Sequence, residues 1–228
     1  MGVTFVLLAA GSGERLGAKK PKALLGVGGV PMFVYSLLQC NKVKFLSQIL
    51  LVVPVGYEEE FRKVLIKYRI KNVDKIVAGG LRRVDSVYNA ISAIEKSEVV
   101  FIHDAARPFV SSKLLKSLFN DVKKYSAVTP GVPVRSTLKS CRRGFVEKTL
   151  KRDGVYEIQT PQVFKIKLIK SALLNFKSKK VDFDILDDSN LVELMGKKVK
   201  ISLGDSLNFK ITYPDDLKLA RLIVKSWK

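Results

Sequence analysis

Residues 7–25 read LLAAGSGERLGAKKPKALL, an apolar run that ends in a glycine turn with Arg15, Lys19, Lys20 and Lys22 close behind. Without Cβ atoms at Gly11 and Gly13, the backbone N–H groups of Gly11, Ser12 and Gly13 can converge on phosphate oxygens. Two known glycine frames do not fit. A dinucleotide finger needs G-x-G-x-x-G, but Leu16 stands where the third glycine belongs and Gly17 comes one residue late. A Walker loop needs four residues between its glycines and then Lys-Ser or Lys-Thr, and neither Gly11 nor Gly13 opens such a frame. What remains is an irregular loop that carries its own cations, Arg15 and Lys22, to a polyphosphate. Solvated lysines after a plain turn would explain less, because Pro21 fixes the chain immediately before Lys22. A cation about 4 Å from a phosphate oxygen contributes roughly 4 kcal/mol at an effective dielectric near 20, before desolvation is subtracted.

The rest of the inventory limits the chemistry. The chain has one histidine, His103, and no Ser/His/Asp or Cys/His set for nucleophilic catalysis. Cys40 and Cys141 lie too far apart for metal-ligand spacing and are too few for a disulfide framework, which suits a reducing compartment. His103 shares no spacing with a second ligand, so it reads as packing or a hydrogen bond near the site and not as a metal ligand. Lys and Arg number 41 against 21 Asp and Glu, a net charge of +20 that favours anionic partners. The lysines are scattered and not gathered into a stripe with exposed aromatics, so the expectation is a solvated basic surface and no nucleic-acid partner. No basic leader precedes residues 3–9, and no apolar run approaches 18 residues, so the reading is a cytoplasmic chain with no membrane partner. Gly2 lacks the Ser or Thr at position 6 that myristoylation expects, since Val6 stands there.

These residues need a frame to position them. Residues 3–9 are continuously apolar, as in a strand covered on both faces, and similar runs recur at 48–53, 75–78 and 99–103. Amphipathic helical patterns lie between, at 31–39, 57–68 and 83–94. The alternation predicts an α/β chain, residues 1–228 forming a single domain on one doubly wound, mostly parallel sheet. Its ligand would sit at the carboxyl ends of the strands, where residues 9–13 and Asp104 fall. From 133 to 155 the pattern changes to a period near two with a turn at Arg143-Gly144, which predicts a protruding β-hairpin arm. An arm that cannot bury itself on its own body buries itself on a partner, so it reads as a homodimerisation element. Further expectations are helices at 165–176, 188–195 and 214–227 and short strands at 199–203 and 209–212.

The order LAAGSGERLG, PKALL, GGVPM, GGLRRVDSV (79–87) and HDAARP (103–108) resembles the sugar-phosphate nucleotidyltransferases. PVRST, KRDG, QTPQ and NFKIT followed by PDDL continue the resemblance along essentially the whole chain, most closely to the family of 2-C-methyl-D-erythritol 4-phosphate cytidylyltransferases. The resemblance implies a Rossmann-like nucleotidyltransferase that joins CTP to a polyol phosphate and releases pyrophosphate, with Mg²⁺ carried mainly by the CTP phosphates. By the same resemblance, Arg15 and Lys22 bind the triphosphate and stabilise the transition state, while Ala10, Gly11, Ser12 and Gly13 cradle phosphates and base. Gly80, Arg83 and Ser86 receive the cytosine, and Asp104 contacts the ribose. Arg152 and Lys210 hold the acceptor phosphate, Thr137 and Thr160 line the acceptor pocket, and Arg107 touches the polyol or holds its loop. An exchanged arm would carry Arg152 to the neighbouring subunit's site. Two positions depart from the pattern: Leu186 stands where threonine is common and Ala23 where glutamine often follows Pro-Lys. Both bear on the acceptor more than on the reaction. Ribitol 5-phosphate is the rival acceptor.

Overall fold

The computed structural model describes residues 1–17, 20–178 and 185–226. In chain order the strands are β1 (Val3–Leu8), β2 (Gly26–Val27), β3 (Val30–Pro31), β4 (Gln48–Val53), β5 (Lys75–Ala78), β6 (Val99–Asp104), β7 (Ala127–Pro133), β8 (Leu138–Arg142), β9 (Phe145–Leu150), β10 (Tyr156–Ile158), β11 (Gln162–Lys165) and β12 (Lys200–Leu203). The helices are α1 (Met32–Cys40), α2 (Glu58–Lys67), α3 (Arg83–Ser92), α4 (Ser112–Lys124), α5 (Ile166–Ser178), α6 (Asp188–Glu193) and α7 (Pro214–Lys225).

The main sheet runs β10-β7-β11-β6-β1-β4-β5, with β12 added alongside β7. Strands β6, β1, β4 and β5 are mutually parallel, and β12 is parallel to β7. β11 runs antiparallel between β6 and β7, so the sheet is mixed but mostly parallel. All six residues of β1 are buried because helices cover both sheet faces. Phe5, Leu7, Leu51 and Phe101 pack toward α1, α2 and α4, whereas Val6, Leu50, Val52 and Ile102 pack toward α3, α5 and α6. From β1 the chain crosses to β4 and β5 on one side, then returns to place β6 on the other. The strand order therefore reverses between β1 and β6, and the crevice at their carboxyl ends is where an open α/β sheet takes its ligand.

The hairpin of β8 and β9 stands off this sheet as its own two-stranded ribbon. Its two-residue turn has both central residues in the left-handed region, Arg143 at φ 50° and Gly144 at φ 85°. That is the type I′ signature, whose twist matches the strands it joins.

One expectation fails. Residues 209–212 form no strand, because the segment is anchored at single points and not by a ladder. Ile211 is buried and its N–H donates to the Ala106 carbonyl at 2.8 Å. Trp227, expected in the last helix, lies outside the described residues.

Candidate active site

The loop after β1 folds back on itself. Lys22 N–H donates to the Gly11 carbonyl at 3.1 Å, and a Cβ on Gly13, whose φ is +84°, would sit 3.2 Å from Lys22 Cβ and 3.3 Å from its Cα. Only glycine meets both the backbone angle and that approach. Lys22 is thereby laid beside the exposed Gly11 and Ser12.

A second loop closes against the first. Gly79 follows β5, its N–H donating to the Val53 carbonyl at 2.7 Å, and a Cβ there would meet Ala10 Cβ at 2.6 Å. Gly80 N–H donates to Ser86 Oγ at 3.0 Å across the start of α3. Sequence-distant glycine turns are thus pressed together at the strand ends.

Asp104 closes β6 at the centre of the crevice. Its Oδ1 accepts from Arg83 Nε at 3.1 Å and its Oδ2 from Lys210 Nζ at 2.7 Å. Burial pushes the Asp104 carboxyl up, but the Arg83 and Lys210 charges outweigh burial and hold it well below the ordinary carboxylate range. Nη1 and Nη2 of Arg83 each donate to one oxygen of Asp188, both at 2.8 Å. The result is a row of alternating charge, Asp188, Arg83, Asp104 and Lys210. Gln162 fixes its far end, its Oε1 accepting from the backbone N–H of Asp188 at 2.8 Å and of Ser189 at 3.0 Å.

A buried hydrogen-bond network holds the strand end that carries Asp104. His103 is fully buried, and burial pulls its pKa down to about 4. Its Nε2 lies 3.0 Å from the Arg107 carbonyl, which can only accept, so Nε2 carries the proton. Nδ1 then accepts from Thr160 Oγ1 at 2.9 Å, and Thr160 Oγ1 accepts from the Asp104 N–H at 3.1 Å. Arg107 donates to the Asn208 and Ile158 carbonyls at 2.9 and 3.1 Å, and Asn208 Nδ2 donates to the Thr160 carbonyl at 2.8 Å. Asn208 lies two residues before Lys210, so the network ties the segment carrying Lys210 to the strand carrying Asp104.

The two glycine loops, with Lys22, Arg83, Asp104 and Lys210, line a cleft of about 560 Å³. Of the residues singled out from sequence, Ala10, Gly11, Ser12, Gly13, Lys22, Gly80, Arg83, Ser86, Asp104 and Lys210 line it. Arg107 and Thr160 do not; they are buried and engaged in the network just described. Thr137 and Arg152 are exposed at the base of the arm, where Arg152 Nη1 donates to the Arg135 carbonyl at 2.6 Å. The Arg15 side chain lies outside the described residues. Asp188, Gln162 and Asn208 are absent from the sequence-derived set. Asp187 and Asp188 carry an N-cap signal, realised as Asp187 Oδ1 accepting from the Asn190 N–H, but no local pattern reveals a partner for Asp188 105 residues away.

Basic side chains around a glycine-lined floor can hold a polyanion. Among the described residues no group of three or more His, Cys, Asp or Glu is placed to hold a metal. Asp104 already spends both oxygens on cations. The donor set therefore fits a divalent ion brought in on phosphate oxygens, as Mg²⁺ commonly is, and not a protein-built cage. No helix among the described residues is long and apolar enough to cross a membrane.

Residues 3–226 match the family model IspD, described as 2-C-methyl-D-erythritol 4-phosphate cytidylyltransferase. The chain is 40% identical to the enzyme of that name from Clostridium beijerinckii over 98% of this chain and 99% of the relative. It is 39% identical to the one from Geobacillus kaustophilus, over 97% and 96%. Among solved structures it resembles 4-diphosphocytidyl-2C-methyl-D-erythritol synthase from Anaerococcus prevotii, with a TM-score of 0.84 and 30% identity over 98% of each chain. The Thermus thermophilus cytidylyltransferase superposes with a TM-score of 0.82 at 29% identity, covering 99% of this chain and 100% of that one. With the glycine loops, the Asp104 cluster and full-length similarity in agreement, the chain belongs to the 2-C-methyl-D-erythritol 4-phosphate cytidylyltransferase family, a family of nucleotidyltransferases.

Proposed function

We propose that the protein joins CTP to 2-C-methyl-D-erythritol 4-phosphate, giving 4-diphosphocytidyl-2-C-methyl-D-erythritol and pyrophosphate in non-mevalonate isoprenoid biosynthesis. The observation that carries this reading is the cleft at the β1/β6 strand reversal, where Lys22 lies against the glycine loop and Lys210 against Asp104. An acceptor phosphate monoester has its second pKa near 6 and arrives ionised at neutral pH. One of its oxygens attacks the α-phosphorus, the bond to the bridging α–β oxygen breaks, and pyrophosphate leaves with that oxygen. No protein base is needed, in keeping with a buried, neutral His103. What the protein supplies is alignment of two anions and charge for the departing pyrophosphate.

In this reading Arg15 and Lys22 take the triphosphate, and Ala10 to Gly13 form its floor. Gly80 and Ser86 take the base and Asp104 the ribose, with Arg83 acting on the nucleotide through Asp104. Lys210 and Arg152 hold the acceptor phosphate, Thr137 lies on its approach, and Arg107 and Thr160 act by holding the strand end. Mg²⁺ carried on the CTP phosphates would add neutralising charge to the triphosphate.

The arm supports a homodimer. Phe145 and Val146 are 78% and 60% exposed on a ribbon that has no third strand, and an isolated two-stranded ribbon is marginal in water. Covered by a second copy, it would bring Arg152 and Thr137 to the partner's cleft. A sheet that draws strands from residue 3 to residue 203 supports a single domain. Scattered lysines and small anionic substrates fit a cytoplasmic enzyme with no nucleic-acid or membrane partner. Leu186 is 83% exposed, so losing a hydroxyl there leaves the charged row intact, and the names of the relatives favour the methylerythritol acceptor over ribitol 5-phosphate. A pyrophosphate-release screen of four nucleotides against several polyol phosphates tests this directly. CTP with 2-C-methyl-D-erythritol 4-phosphate is expected to lead, and a preference for ribitol 5-phosphate or another nucleotide would contradict it.

A further inference from the structure

Asp188 carries no role in the sequence reading, yet it is the most deeply enclosed charge in the row. Its side chain is 1% exposed. It occupies both terminal nitrogens of Arg83 at 2.8 Å, while Gln162 holds its backbone. We propose that Asp188 is a positioning residue for the transfer: it keeps the Arg83 guanidinium turned from the triphosphate and leaves Arg83 Nε to set the orientation of Asp104.

Three observations carry this. First, Arg83 lines the same cleft as Gly11, Ser12 and Gly13, so an Arg83 released from Asp188 would be free to turn within the cleft that takes the nucleotide phosphates. Second, the charges balance: Arg83 and Lys210 face Asp104 and Asp188, and neutralising Asp188 leaves one surplus positive charge where phosphates bind. Third, buried ion pairs contribute little net stability compared with apolar packing, so fixing geometry is the stronger reason for the pair here. The surplus charge gives the idea its signature. Without Asp188 the nucleotide should bind as well as before or better, but in a pose where Asp104 and Lys210 no longer meet the reacting groups. Turnover would fall while nucleotide affinity did not. A residue needed only for folding would lose both together.

This inference rests on the cytidylyl-transfer reading, and wild-type pyrophosphate release separates the two: an inactive wild type overturns the reaction, whereas an active wild type matched by an Asp188 variant overturns only the role of Asp188. The experiment uses the full chain with Asp188→Asn, measuring kcat and KM by pyrophosphate release, CTP binding by titration without acceptor, and thermal unfolding. The expected result is a kcat lowered about ten-fold or more, with the CTP dissociation constant unchanged or smaller. Combined with Asp104→Asn, the double variant should lose no more than the worse single, because both act through one orientation. Unchanged kcat, a parallel loss of CTP affinity or fully additive losses would overturn the proposal. If Asp188→Asn does not fold, Asp188→Glu retains the charge but displaces it by one methylene; a folded Glu variant with reduced kcat and normal CTP binding supports the role. Wild-type kcat in the Glu variant, or failure of both variants to fold, would overturn it.

Discussion

Lys22 and His103 show opposite ways for a charged or chargeable side chain to serve a site. Lys22 is held by backbone contacts of a glycine loop and contributes charge at the cleft, so Lys22→Ala should lower kcat about hundred-fold, the scale of one lost transition-state contact. Its melting temperature should stay within a few degrees, because no apolar core is removed; near wild-type pyrophosphate release would refute the role. His103 is buried neutral, its pKa drawn from 6.5 to about 4. As pH falls below 6.5 the unfolded chain takes up a proton that the folded one refuses. Stability should therefore decline between pH 6.5 and 4 by about 3 kcal/mol and level off below, until loss of the Asp104 pairs adds a further decline. His103 is the only histidine, so its replacement isolates its share of this decline: the loss of stability between pH 6.5 and 4 should shrink in His103→Asn, leaving the slope of the carboxylates, among them Asp188, whose carboxyl burial pushes up; an unchanged slope would contradict the assignment. At this scale the cleft-lining residues were legible because glycines and cations sat in recognisable order. Asp188, Gln162 and Asn208 were not, because their partners lie 26 to 105 residues away and no local pattern encodes such pairings.

Elements place these side chains by close approach. The loops after β1 and β5 meet where Gly79 faces Ala10, and a Cβ at Gly79 would come within 2.6 Å of Ala10 Cβ. Gly79→Ala should therefore part the two loops and raise the KM for CTP by about ten-fold or more, with a smaller change in the KM of the acceptor. Steady-state kinetics with each substrate varied separately checks this, and an unchanged KM for CTP would count against loop contact as the device. The sequence made the parallel strands legible since burial on both faces leaves unbroken apolar runs, and the arm legible because Arg143-Gly144 suits a two-residue turn. It was silent on α4 and β7, where Leu114, Leu115, Leu118 and Val122 do have helical spacing, and β7 carries Thr129, Pro130 and Gly131 amid its apolar residues. Residues 209–212 misled because alternating FKIT fits a strand, while tertiary anchoring of Ile211 and Lys210 decided the backbone.

The whole molecule joins a basic cleft to an arm with exposed apolar residues. If a second copy covers the arm, Phe145→Asp with Val146→Asp should shift sedimentation toward monomer and lower activity by about ten-fold or more while leaving CTP binding intact, because only the acceptor side would lose Arg152 and Thr137. A dimer of undiminished activity would contradict this use of the arm. The measurement closest to the central claim is a crystal structure of the protein with CTP bound. The triphosphate is expected against Gly11, Ser12 and Gly13 with Lys22 in contact and Asp104 at the ribose; CTP lodged elsewhere, with that loop unvisited, would contradict the proposed function.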